Sequence, residues 1–135
     1  MTTKEILSTY KNIAVVGFSE KPNRDSHEIT MQIKSYGYNV IGVNPALAGK
    51  IINGVKCYGN LAEIDEHIDI VDIFRRSEFI AGIVEEANNM KNKPKVIWAQ
   101  LGITSSEAAE LAYKYGFQYV ENKCIFVEYK LNFNK

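Results

Sequence analysis

The stretch Asn12-Ile13-Ala14-Val15-Val16-Gly17 runs directly into Phe18-Ser19-Glu20-Lys21-Pro22-Asn23-Arg24-Asp25-Ser26. Such a run, largely β-branched and apolar at every position after the first, suits a strand buried on both faces. The glycine and polar loop behind it suit a turn that opens a helix. Together they read as the first β-turn-α of a nucleotide-binding α/β sheet, where an anion can rest on the unpaired N–H groups of a helix N-terminus. The glycine pattern is not that of a dinucleotide site. The NAD fingerprint needs two further glycines for close approach to a pyrophosphate, and Ser19 and Asn23 stand near those places. The loop therefore points to a nucleotide other than NAD.

The remainder of the chain repeats strand-length apolar runs separated by polar turns and helical patterns, the alternation that builds a parallel sheet covered on both faces. An opening helix is expected from Thr3 to Tyr10, with Thr2 and Glu5 at capping-box spacing. Strand one is Asn12 to Gly17. The next helix is expected to start at Asp25 or Ser26, where Asp25 and Glu28 repeat that spacing, and to end at Gly37. Strand two, Asn39 to Val43, stops at Asn44-Pro45 because proline has no N–H for a central ladder. A loop then leads through Cys57 to a short helix at Leu61 to Asp65. Strand three is Asp69 to Phe74, and Ser77-Glu78 opens a helix with Ile80, Ile83, Val84 and Ala87 turned inward. Strand four is Lys95 to Ala99, and Thr104 with Glu107 caps a helix from Ser105 to Tyr115 that ends at Gly116. Strand five is Gln118 to Val120. The expected fold is a single Rossmann-like three-layer αβα sandwich over residues 1–135, with five mainly parallel strands. Its ligand crevice would lie beyond the carboxyl ends of the strands, where their order reverses.

A chain of 135 residues can bury about two-thirds of its unfolded surface without disulfides or metals. With 46% hydrophobic residues, 24% charged residues and zero formal net charge, it has no basic excess to draw it to nucleic acid or anionic lipid. No apolar stretch approaches the roughly 20 residues that span a bilayer. The N-terminus shows no signal segment, so the cytoplasm is the expected location. In that reducing setting Cys57 and Cys124 read as free thiols.

The chain has three arginines, Arg24, Arg75 and Arg76, and on this strand map all three lie beyond carboxyl ends. Guanidinium groups suit phosphates, and Ser19, Lys21 and the helix N-terminus converge on the same rim. Catalytic groups are scarce. His27 and His67 lack a partner at metal or nucleophile spacing and read as surface histidines. Trp98 and Phe74 read as core, and Cys124 as a small packed residue. No catalytic or metal-ligating set is assigned.

Five segments in order carry a family resemblance: Val16-Gly17-Phe18-Ser19 with Pro22 and Ser26; Gly42-Val43-Asn44-Pro45; Phe74-Arg75-Arg76-Ser77-Glu78; Trp98-Ala99-Gln100-Leu101-Gly102; and Asn122-Lys123-Cys124. From Lys11 to Tyr129 the chain resembles the small stand-alone CoA-binding domain proteins, which are similar to the N-terminal Rossmann-like domain of the succinyl-CoA synthetase alpha subunit. The resemblance implies CoA or acyl-CoA as the ligand. It puts Gly17, Phe18, Ser19, Lys21 and Arg24 at the diphosphate, Asn44 and Pro45 at the adenosine end with Arg75 and Arg76 beside them, and Ala99, Gln100 and Leu101 along the other wall. Two positions depart from the synthetase pattern: Glu20 replaces a loop glycine, and Leu47 replaces a lysine, leaving Lys50 nearby. The synthetase's phosphorylated histidine belongs to a second domain with no counterpart here. The implied function is a small binding protein without chemistry of its own, whose protein partner the sequence does not identify. The alternatives are an NADP-linked oxidoreductase using the same crevice, and an interaction module with a vestigial crevice that binds a partner through a helix face or the segment from Ile125 to Lys135.

Overall fold

A computed structural model describes residues 1–133. Its strands are β1 (Asn12–Val16), β2 (Asn39–Val43), β3 (Ile51–Ile52), β4 (Val55–Tyr58), β5 (Ile70–Ile73), β6 (Val96–Ala99) and β7 (Gln118–Val120). Its helices are α1 (Thr3–Thr9), α2 (Asp25–Ser35), α3 (Ile80–Asn88), α4 (Ser106–Tyr115) and α5 (Ile125–Phe133). The strands form one sheet in the order β3-β4-β2-β1-β5-β6-β7, parallel throughout except for the β3–β4 pair. The strand order reverses at β1, which pairs with β2 on one side and β5 on the other. This is the Rossmann-like αβα arrangement, with seven strands in place of the expected five.

Two strands were missing from the sequence expectation. β3 and β4 form a hairpin whose turn residues, Asn53 (φ 49°) and Gly54 (φ 82°), both have positive φ, the conformation that an Asn-Gly pair adopts most readily. The segment after Cys124 contains helix α5, packed on α1 and α2. The remainder of the Ile125 to Lys135 segment, residues 134–135, lies outside the described residues.

Several boundaries also shift. The capping box of Thr2 and Glu5 is present at α1. At α2 the N-cap is Arg24, without a side-chain cap, and Asp25 is already the first helical residue. At α4 the cap is Ser105, whose hydroxyl accepts from the Ala108 N–H, one residue beyond the expected Thr104. The short helix after β4 is a 3-10 turn, Leu61–Glu63, and a second such turn, Ser77–Phe79, precedes α3.

Alternation along the strands divides the core in two. Ile13, Val15, Ile70, Val96 and Trp98 face the layer of α1, α2 and α5, where they pack with Ile6, Leu7, Ile33 and Ile125. Ala14, Val16, Val71, Ile73 and Ile97 face the layer of α3 and α4 and meet Ile80, Ile83, Val84, Ala108 and Ala112. Trp98 is fully buried, and its indole N–H donates to the Lys123 carbonyl at 2.8 Å, so its polar edge is satisfied where it would otherwise be costly.

Gly42 explains how the loop after β1 is seated. A Cβ at residue 42 would lie 2.6 Å from Cδ2 of Phe18 and 3.1 Å from Sγ of Cys57. The missing side chain thus makes the notch that takes the Phe18 ring. Gly42→Ala is expected to destabilise the protein by about 1–3 kcal/mol, the range for overpacking a filled core. Gly82→Ala, on the exposed face of α3 with nothing within 4 Å of the new methyl, is expected to stabilise it by about 0.5–1 kcal/mol through helix propensity. Urea unfolding of the two variants checks both signs.

Candidate functional site

The crevice opens beyond the carboxyl ends of β1 and β5. Gly17 follows β1 with φ 90°, and a Cβ there would lie 2.6 Å from the Phe74 carbonyl oxygen and 3.3 Å from Cδ of Arg75. Only glycine permits this approach and this backbone conformation together. Two adjoining cavities occupy the crevice and share Asp25 and Phe74. One, of about 620 Å³, is bounded by Gly17, Ser19, Lys21, Asn23, Arg24 and Ser26. The other, of about 570 Å³, is bounded by Ile29, Arg75, Arg76, Ser77, Gln100, Leu101, Gly102, Ile103 and Cys124.

The β1–α2 loop is held by its own polar groups. The Ser19 N–H donates to Ser26 Oγ at 3.1 Å, and the Lys21 N–H donates to Ser19 Oγ at 3.1 Å. The N–H groups of Asn23, Asp25 and Ser26 have no protein acceptor among the described residues, as expected at a helix start. These donors, with Lys21 and Arg24 exposed beside them, make one half of the crevice suited to an anion. Glu20 and Asp25 add negative charge to the same rim, and both are exposed.

His27 corrects the surface reading made from sequence, for it is only 3% exposed. Its ring stacks on Phe18 with centroids 5.3 Å apart. Nδ1 lies 2.7 Å from the Ser19 carbonyl oxygen and Nε2 lies 3.0 Å from the Asn53 amide nitrogen. A carbonyl oxygen can only accept, so the proton sits on Nδ1 and Nε2 accepts from Asn53. One buried ring thereby ties the loop to the β3–β4 hairpin. The sequence carried the hairpin signal, Asn53-Gly54, but gave no sign that the hairpin reaches a histidine of α2.

The other residues assigned from sequence fall into distinct groups. Gly17, Ser19, Lys21, Arg24, Arg75, Arg76, Gln100 and Leu101 border the crevice. Phe18 borders neither cavity, and its side chain is fully buried beneath the loop. Ala99 is fully buried in β6. Asn44 and Pro45 border neither cavity: the Asn44 side chain donates to the Phe18 carbonyl at 2.9 Å and accepts from the Ala46 N–H at 2.9 Å. Arg75 and Arg76 lie with Gln100 and Leu101 rather than with Asn44. Leu47 is buried at 3% exposure, whereas Lys50 is exposed. Phe74, read as core, is half-buried on the crevice wall. Cys124 borders the crevice as well, and both cysteines are free thiols.

Sequence reasoning passed over Asp72. It is 2% exposed, on β5 beside Val15 and Trp98, and accepts from the Gln100 amide Nε2 at 2.5 Å. Burial pushes its carboxyl up from 3.8 to about 7, and the Gln100 hydrogen bond opposes this only in part. Between those values the folded state holds a proton that the unfolded chain has lost, so this group makes stability fall as pH rises from about 4 to about 7. Above that window the buried carboxylate costs on the order of 4 kcal/mol relative to the unfolded chain. Asp72→Asn removes the ionisation, and the variant is expected to gain stability relative to the parent as pH rises from 5 to 8. Chemical unfolding of both proteins across that range measures the difference.

A Rossmann-like sheet with an anion-suited first loop and a crevice at the reversal of strand order defines a nucleotide-binding type of protein. The CoA binding domain family matches residues 11–130, and the chain belongs to that family. The uncharacterized protein YneT of Bacillus subtilis (strain 168) is 41% identical over 124 residues, covering 92% of this chain and 89% of its own length. The alpha subunit of an ADP-forming acetate–CoA ligase II of Pyrococcus furiosus is 29% identical, and the match covers 85% of this chain but only 27% of that subunit. Among solved structures, cell-free ID.343 from Thermus thermophilus superposes with a TM-score of 0.90 at 30% identity, covering 98% of this chain and 100% of that one.

Proposed function

We propose that the protein is a small cytoplasmic CoA or acyl-CoA binding protein that acts as a single domain without catalysis of its own. The observation that carries this reading is the pair of adjoining cavities at the β1/β5 crevice, one lined by unpaired N–H groups with Lys21 and Arg24, the other more apolar with Arg75 and Arg76 at its rim. A ligand with a diphosphate at one end and a flexible arm at the other fits that division of chemistry. Membership of the CoA binding domain family supports it. Gly17, Ser19, Lys21 and Arg24 would meet phosphate, with the Phe18 backbone beneath. Arg75 and Arg76 would add charge, and Gln100 and Leu101 would flank the arm. No helix among the described residues is long and apolar enough to cross a membrane. The chain spans about a quarter of the length of the acetate–CoA ligase subunit that it resembles.

A thermal-shift panel of CoA, acetyl-CoA, dephospho-CoA, NAD and NADP at matched concentrations tests the reading, since a ligand of the folded state alone raises stability by RT ln(1 + [L]/Kd). CoA is expected to give the largest shift, reduced when the 3′-phosphate is absent. A larger shift with NADP would favour an oxidoreductase, and no shift with any nucleotide would favour an interaction module.

Arg24→Ala and Arg75→Ala are each expected to weaken CoA binding by about 1.5–3 kcal/mol, the range for a hydrogen bond to a charged group. Lys114→Ala, on α4 and away from the crevice, is expected to leave it unchanged. Isothermal titration of the three variants makes the comparison, and equal losses at all three positions would contradict the assignment.

A further inference from the structure

Asp72 is an acid without a countercharge. The ion pairs among the described residues are Lys56–Glu66, His67–Asp69 and Arg76–Glu78, and none involves it. Its hydrogen-bond partner is Gln100, which also borders the crevice. The oxygen of the same Gln100 amide accepts the Ile125 N–H at 3.3 Å, at the first residue of α5. One amide therefore links a buried acid, the start of a helix and the wall of the crevice.

The strands flanking Asp72 bring Val15 and Trp98 to its level, neither of them charged. The helices covering this face carry Lys4 and Glu5 on α1; Asp25, His27, Glu28 and Lys34 on α2; and Glu128, Tyr129 and Lys130 on α5, with Cys124 just before it. Arg75 stands on the rim beyond β5. No hydrogen bond or ion pair joins any of these groups to Asp72. Arg75 and Arg76 border the same cavity as Gln100, and an anionic ligand that pairs with them withdraws their positive charge from the acid's surroundings.

We propose that binding of an anionic nucleotide in this crevice is linked to a proton on Asp72: the ligand selects the form in which the acid is neutral, and Gln100 transmits the change to the start of α5. The proposal rests on the reading of the crevice as a CoA site. The physical ground is like-charge repulsion across a poorly polarisable interior, which an ionised carboxylate suffers and a neutral acid does not. The proton comes from solvent, and the bond formed is the carboxyl O–H. On protonation that O–H becomes a donor, so Gln100, whose amide already serves both Asp72 and Ile125, is the first group to feel the change. Asp72 thus acts as a positioning residue, since it meets the ligand only through Gln100.

The test is calorimetric titration of CoA into the parent and Asp72→Asn between pH 6 and 8.5, at each pH in two buffers of different ionisation enthalpy. CoA affinity of the parent is expected to fall about three- to tenfold more than that of the variant over this range. Near pH 7 the parent is expected to take up more protons per CoA than the variant. The two-buffer comparison on the parent alone measures proton uptake even if the variant folds poorly, and no net uptake there overturns the proposal. Amide NMR of both proteins without ligand supplies an independent readout. The side-chain amide of Gln100 and the backbone amide of Ile125 are expected to shift together with pH in the parent and not in Asp72→Asn. Superimposable affinity profiles overturn the proposal while leaving the CoA reading intact. Failure of CoA to bind either protein, with the ligand-free amides still titrating, overturns the CoA reading and the proposal that rests on it.

Discussion

The ends of β1 and β5 meet so closely that residue 17 has no room for a side chain, and the rest of the crevice depends on that contact. The Phe74 N–H donates to the Val16 carbonyl at 2.8 Å, and the Gly17 N–H donates to the Val43 carbonyl at 3.0 Å. Three parallel strands are thereby pinned at the level where the chain must leave the sheet. The loop after Gly17 starts above the crevice, and the arginine after Phe74 is laid alongside it. A bulkier residue at 17 would part the strands and remove both walls at once.

The loop is braced from below as well as from its ends. Phe18 fills the notch left by Gly42, His27 stacks on Phe18, and Asn44 holds the Phe18 carbonyl. These contacts place Ser19 through Ser26 without using the α2 N–H groups of Asp25 and Ser26, which stay available to an incoming anion. Preorganised donors bind without first having to be ordered, an advantage for a site that holds a ligand. Beneath the second cavity the arrangement differs, because a buried acid there is balanced by an amide and not by a cation. Both cavities carry cations, Lys21 and Arg24 in one and Arg75 and Arg76 in the other, so the buried acid is what distinguishes the second.

What the sequence made legible follows from how local each signal is. β1, β2, β5 and β6 each have a run of four buried residues, and α1, α3 and α4 have caps or apolar spacing close to where the chain uses them. The hairpin is short, two residues against four, so its apolar pattern is too brief to register. Its Asn53-Gly54 turn was the signal that could have found it. Helix α5 was missed because Ile125, Phe126, Val127, Tyr129, Leu131 and Phe133 place apolar groups around much of its circumference, leaving no clear periodic stripe. The rim residues were legible because they sit next to strand ends. The roles of Asn44, His27 and Asp72 were not, since each depends on a partner between 26 and 28 residues distant along the chain, in Phe18, Asn53 and Gln100 respectively.

Read as a CoA site, the crevice holds one ligand along its length, from the β1–α2 loop to the wall of Gln100 and Leu101. A crystal structure of the protein grown with CoA tests this most directly. The account predicts diphosphate oxygens within hydrogen-bond distance of the Asn23 to Ser26 backbone and of Arg24, with the thiol-bearing arm running past Phe74 toward Gln100. CoA seated instead at the opposite end of the sheet, in the hollow of about 390 Å³ bounded by Asn12, Lys34 and His67, would contradict it.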